Sequence, residues 1–269
     1  MRRFVLAALV LPALVLAVAA MLPSPASTQQ GAATLAGDGP KVVASTAWAA
    51  AFARAAGATR ITVVAPASVP HPPDYDPKPS DLAAVADANF VVMAPFDGFA
   101  RRLREAAGSA ATVITLDLVN APETVRSEVT RLGQAFGTTA AATAWLRGFD
   151  EAYAQLVADT TARRGDARPK AVVQRFMRPW AELAGLEVVG LYGPGPLQPA
   201  QLAELVAKAP DVVVKNAHSE REGAPSAGRT IAEATGARQV ALINFPGADQ
   251  DLLAVFRENA RRLGDALAK

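Results

Sequence analysis

Two rhythms of apolar and polar residues alternate along most of the chain. Residues 41–45 (KVVAS) form a short β-branched run, and 46–56 follow as an alanine-rich segment with Trp48 and Phe52 at helical spacing. The pattern then predicts strands at 61–65, 89–93 and 112–116, with helices at 80–86 (Ser80 as its cap) and 98–107. From Pro122 to about Arg164 no strand candidate occurs, only helix formers with a break near Gly137. Thr139–Arg164 reads as one helix, nearly 40 Å long at about 1.5 Å per residue and longer than an ordinary crossover. The alternation then resumes, with strands at 171–173, 186–191, 211–215 and 239–243. Helices fall at 179–184, 199–208, 227–235 and 249–268. Short strands alternating with helices predict βαβ units and parallel sheets. The fold class is therefore α/β, with two parallel-sheet lobes joined by one long helix.

The amino-terminal 26 residues stand outside that rhythm. Arg2 and Arg3 precede an apolar run over 4–22, and Ser24-Pro25-Ala26 supplies small residues for cleavage, which predicts a cleavable secretory signal rather than a membrane anchor. Residues 27–39 are small and polar and read as a flexible leader. The expected layout is a signal at 1–26, the leader, an α/β lobe at 40–120, a helical segment at 121–166 and a second lobe at 167–269. The sequence contains no cysteine, which excludes disulfides and a lipid-modified amino-terminal cysteine. The protein is thus expected free in the periplasm or secreted, as a monomer.

Charge adds little. Losing Arg2 and Arg3 reduces 27 basic residues to 25, against 25 acidic ones, and no basic cluster survives to suggest nucleic acid.

In an open parallel sheet, ligands bind at the loops following the carboxyl ends of the strands. The polar residues there are His71, Asp74, Tyr75 and Asp76 after the second strand and Asp117 after the fourth. Gln174, then Asn216 and His218, then Asn244 follow strands of the second lobe. Both histidines of the chain therefore fall on the same edge. Imidazole with carboxylate and amide oxygens suits zinc or another first-row ion. The prolines of VPHPPDYDPKPSD (69–81) stiffen the loop that carries His71, and Asp74 and Asp76 are placed to orient its ring. Most tyrosines and tryptophans read as core, with Trp180, near Gln174, placed to wall the cleft.

These residues also carry a resemblance. YDPKPSD at 75–81, followed by DANFVV at 87–92, resembles the H-x-Y-E-P-x-P-S-D block and the ADLVV-like strand of TroA-like solute-binding proteins, the receptors of bacterial zinc and manganese ABC importers. Ala184-Gly185-Leu186 resembles that family's Y-G-L, and Asn244-Phe245-Pro246-Gly247 stands where the family has D-P-L-G. The resemblance covers nearly the whole chain after the signal. It implies two α/β lobes bridged by a rigid helix, and capture of a divalent metal, zinc or manganese, for an ABC permease. The ligand set it implies departs from the family pattern. The first histidine position falls on Pro73, with His71 two residues earlier. The second falls on Asp117, the third on Gln174 and the fourth on Asn244. His218 has no counterpart, and the family's histidine-rich loop is missing. The expected metal residues are thus His71, His218, Asp117, Gln174 and Asn244. The competing expectation is a receptor of the same fold that has lost the metal site and binds a small organic ligand or a metal chelate. An enzyme is not expected. No Gly-x-Ser-x-Gly elbow or phosphate loop occurs, and two histidines offer little acid–base machinery.

Overall fold

The alternation becomes two separate parallel sheets in the computed structural model, which describes residues 39–69, 71–218, 226–249 and 251–268. The expected signal and nearly all of the leader lie outside the described residues. The first sheet contains β1 (Lys41–Thr46), β2 (Arg60–Ala65), β3 (Phe90–Met93) and β4 (Thr112–Thr115) in the order β2-β1-β3-β4. The second contains β5 (Lys170–Gln174), β6 (Glu187–Tyr192), β7 (Val212–Asn216) and β8 (Arg238–Leu242) in the equivalent order β6-β5-β7-β8. All pairings are parallel. The central strands are apolar on both faces because helices cover both sides. Val42, Val43 and Ala44 of β1 and Ala171, Val172 and Val173 of β5 are all buried.

This strand order decides where a ligand can sit. In each sheet the chain moves outward on one side and then restarts on the other, so the loops after β1 and β3, and after β5 and β7, diverge at a switch point. The diverging loops leave a crevice at the carboxyl ends of the strands.

The helices are α1 (Ala47–Ala55), α2 (Pro79–Ala86), α3 (Ala100–Ala107), α4 (Pro122–Phe136), α5 (Thr139–Arg164), α6 (Arg178–Leu183), α7 (Pro199–Ala207), α8 (Ala227–Thr235) and α9 (Leu252–Leu267). Several starts differ from the sequence expectation for identifiable reasons. Ser80 does not cap α2; Pro79 already opens the helix, and the Asp81 carboxylate accepts the Lys78 amide at 2.8 Å and the Tyr75 hydroxyl at 3.1 Å. Helix α9 begins three residues later than expected because Asp251 accepts the Ala254 amide as its cap.

The long helix α5 spans 26 residues, as its uninterrupted run of helix formers predicts. Gly148 in its middle faces open space, so no packing demands a glycine there. By contrast, a Cβ at Gly133 on α4 would lie 2.5 Å from the Ala142 Cβ, so the close approach of α4 to α5 requires glycine. One hydrophobic core runs from the first sheet through α5 into the second. Its aromatic chain includes Phe149 of α5 against Phe256 of α9 (centroids 5.1 Å apart) and Phe256 against Trp180 of α6 (4.6 Å), both edge-on. Trp180 is fully buried in this cluster and does not wall the cleft, contrary to expectation. None of the described helices is long and apolar enough to cross a membrane.

Candidate functional site

The carboxyl edges of the two sheets open onto one cleft of about 880 Å³. Its walls are mostly apolar. Trp48 lies just beyond β1 and Phe96 just beyond β3, on the first lobe. Phe176 follows β5 and Phe245 follows β8, on the second. Trp48 reaches across the lobes, its ring 6.0 Å from Phe245 and 6.4 Å from Phe96. Phe96 and Phe176 are 54% and 53% exposed, unusual for residues that gain so much from burial unless a ligand covers them. A cleft of this size with aromatic walls has the dimensions and chemistry of a small-molecule site.

Asn120 forms the polar floor between the lobes. Its side-chain amide donates to the Asn244 backbone carbonyl at 2.7 Å and to Asn244 Oδ1 at 3.2 Å. Asn120 Oδ1 and Trp48 Nε1 are sealed from solvent without a hydrogen-bond partner.

His218 lies flat on Phe245, centroids 3.8 Å apart and planes 19° from parallel. Its Nδ1 accepts the Asn244 backbone N–H at 3.2 Å, and its own backbone N–H donates to Asn216 Oδ1 at 2.9 Å. Burial, reinforced by the Arg262 guanidinium, pushes its pKa from 6.5 down to about 4. The ring is therefore neutral at physiological pH.

The other expected ligands are placed as follows. His71 is exposed at the cleft mouth, and its Nδ1 lies 2.9 Å from Asp74 Oδ2, so Asp74 orients the ring. Asp76 does not share that task, since it pairs with Arg102. Asp117 lines the cleft and accepts the Val119 amide at 3.2 Å. It does not cap α4, which begins at Pro122 without a side-chain cap. Gln174 is 1% exposed and does not line the cleft; its Oε1 accepts the Phe176 amide at 2.9 Å, and its Nε2 has no partner. Asn244 lines the cleft with its Oδ1 engaged by Asn120. His71, Asp117, His218 and Asn244 thus share one cleft. Yet no group of three or more His, Cys, Asp or Glu side chains able to hold a metal ion occurs among the described residues.

Trp48, Phe96, Asn120, Arg175 and Phe176 were not legible in the sequence as cleft residues. The rule that found the histidines, position just beyond a strand, also reaches Trp48, Phe96 and Arg175. Their apolar or alanine-rich surroundings made the first two look like core. Arg175 is exposed on the cleft wall and forms no ion pair with the described residues.

No family model and no curated protein sequence matches the chain. Solved structures do. A crystal structure of ZnuA superimposes with a TM-score of 0.64 at 16% identity, covering 86% of this chain and 100% of that one. The laminin-binding protein Lbp of Streptococcus pyogenes gives 0.63 at 18% identity over 86% of this chain and 100% of its own. The SBP FpvC from Pseudomonas aeruginosa in complex with Mn²⁺ gives 0.65 at 16% identity, covering 85% and 97%. The fold is accordingly the TroA-like one, two parallel-sheet α/β lobes joined by a long helix.

Proposed function

We propose that this protein is an exported solute-binding receptor, not an enzyme, that delivers its cargo to an ABC permease. In this reading the cargo is a small organic molecule or a metal chelate with an apolar face, and residues 1–26 are a signal removed on export. The observation that carries the proposal is the cleft itself, about 880 Å³ walled by Trp48, Phe96, Phe176 and Phe245. A bare zinc ion needs four donors at roughly 2.0–2.3 Å, anionic or imidazole for the most part. It would occupy a small corner of this space and leave the aromatic walls uncovered. The amide oxygens of Gln174 and Asn244 are already engaged, and neutral amides hold a cation weakly. A planar organic body would cover the exposed faces of Phe96 and Phe176 and gain roughly 25 cal/mol for each Å² of apolar surface removed from water.

The second reading is capture of a divalent ion, zinc or manganese, by His71, His218 and Asp117 with help from Asn244, Gln174 being set back from the cleft. Two observations favour it. His71, Asp117, His218 and Asn244 line one cleft, and proteins of the same fold have been solved with Mn²⁺, Ni²⁺ or zinc bound.

Calorimetric titration of chelator-treated protein with zinc and manganese chlorides separates the two. The organic-cargo reading expects no saturable binding tighter than about 1 mM, equivalent to roughly −4 kcal/mol. Micromolar or tighter binding at one ion per chain would reverse the order of the readings.

A further inference from the structure

The two histidines are set to opposite tautomers. A backbone N–H can only donate, so the Asn244 amide, 3.2 Å from His218 Nδ1, fixes that nitrogen as the lone-pair atom. The single hydrogen of the neutral ring then sits on Nε2. The stack on Phe245 and the Asn216 contact to the backbone hold the ring in place. Nε2 has no hydrogen-bond partner among the described residues and is not sealed from solvent, and His218 lines the cleft. At His71 the acceptor is a carboxylate. Asp74 Oδ2, 2.9 Å from Nδ1, holds the hydrogen there and leaves the lone pair on Nε2.

We infer that His218 is a cargo-recognition residue that presents a fixed Nε2–H donor to an acceptor oxygen, carbonyl or anionic, on an apolar ligand stacked in the cleft. The inference rests on the organic-cargo reading and names the chemistry of that cargo. Neither nitrogen of His218 is free for a metal. Coordination at Nδ1 would put an ion where the Asn244 N–H points. Coordination at Nε2 would move the hydrogen to Nδ1, leaving two donors facing each other at 3.2 Å and a half-buried amide without an acceptor. Arg175 adds a second donor on the same lobe, and Asp117 faces from the other. An acceptor group on the cargo is therefore directed toward the second lobe.

Long-range ¹H–¹⁵N spectra of the labelled full chain at neutral pH read the tautomers directly, with His71→Gln assigning the two rings. The expected result is a hydrogen on His218 Nε2, unchanged by one equivalent of zinc chloride. A hydrogen on Nδ1, or zinc-dependent shifts at His218, overturns the inference. Zinc-dependent shifts confined to His71 would leave it standing while contradicting the organic-cargo reading, so the two failures are distinguishable. A pair of fluorescent probes tests the donor role. Anilinonaphthalene sulfonate carries acceptor oxygens on an apolar body, and phenylnaphthylamine has that body without them. The wild-type protein should prefer the sulfonate, and His218→Phe, which keeps the ring stack, should lose about tenfold of that preference. An unchanged preference in the variant overturns the donor role.

Discussion

Asn120 of the first lobe donates to both oxygens of Asn244 on the second, joining loops 124 residues apart in the chain. The bridge is buried, with Asn120 3% and Asn244 9% exposed. Water cannot easily replace the lost bonds if it is broken. Asn120→Ala should therefore destabilise the protein by about 1–3 kcal/mol, read from the midpoint of urea unfolding. Asn120→Asp should cost at least as much near pH 7, since a carboxylate would face two acceptor oxygens. A change within about 0.5 kcal/mol for both variants would show that the bridge contributes nothing.

The aromatic cluster makes a second prediction. Phe256 is fully buried and packs edge-on against Phe149, Tyr153 and Trp180. Phe256→Ala should cost about 3–5 kcal/mol. Because the core is continuous through α5, both lobes should still unfold in one transition. Two resolved transitions by tryptophan fluorescence and circular dichroism would contradict a shared core.

A protein whose lobes share α5 and this core has little room to hinge. X-ray scattering profiles of cargo-loaded and stripped protein should nearly superimpose. Marked compaction on loading would indicate bending at the α4–α5 junction near Gly137 instead.

The pH dependence of stability has a definite sign. The folded-state pKa of His218, about 4, lies below its ordinary 6.5, so the unfolded chain binds the proton more readily between those values. Its contribution is complete above about pH 6.5 and declines as the pH falls toward 4. The ring is only partly buried and water screens part of the effect, so the loss should be on the order of 1–2 kcal/mol. His218→Phe should remove that share of the slope in urea unfolding measured at pH 7 and pH 4.5. An identical slope in the variant would place the titration elsewhere.

Much of the fold was legible because its signals are local. The β-branched runs of β1, β3, β5 and β7 are buried on both faces, and α5 has 26 residues without a proline. Helix starts were less legible because caps depend on single side chains, as Asp81 and Asp251 show. At the site, the strand-end rule brought His71, Asp117, His218 and Asn244 to one cleft. It could not see which lone pairs were already engaged. The bond from Asn244 N–H to His218 Nδ1 joins residues 26 apart in the loops after β8 and β7, and the Asn120–Asn244 bridge joins different lobes. Gln174 failed as a cleft residue because its side chain folds back onto the Phe176 amide. Phe96 and Phe176 were hidden because aromatic residues ordinarily mark a core, and only the assembled edges show them half-exposed.

Native mass spectrometry decides whether the aromatic cleft holds an organic or chelated cargo. The protein should be purified from cells that produce it naturally, without chelator or polyhistidine tag. A fraction of molecules should carry one added organic species, released on denaturation and reduced in Trp48→Ala. Protein carrying a single zinc or manganese ion and no organic species, with the ion lost in His71→Ala and His218→Ala, would contradict this expectation.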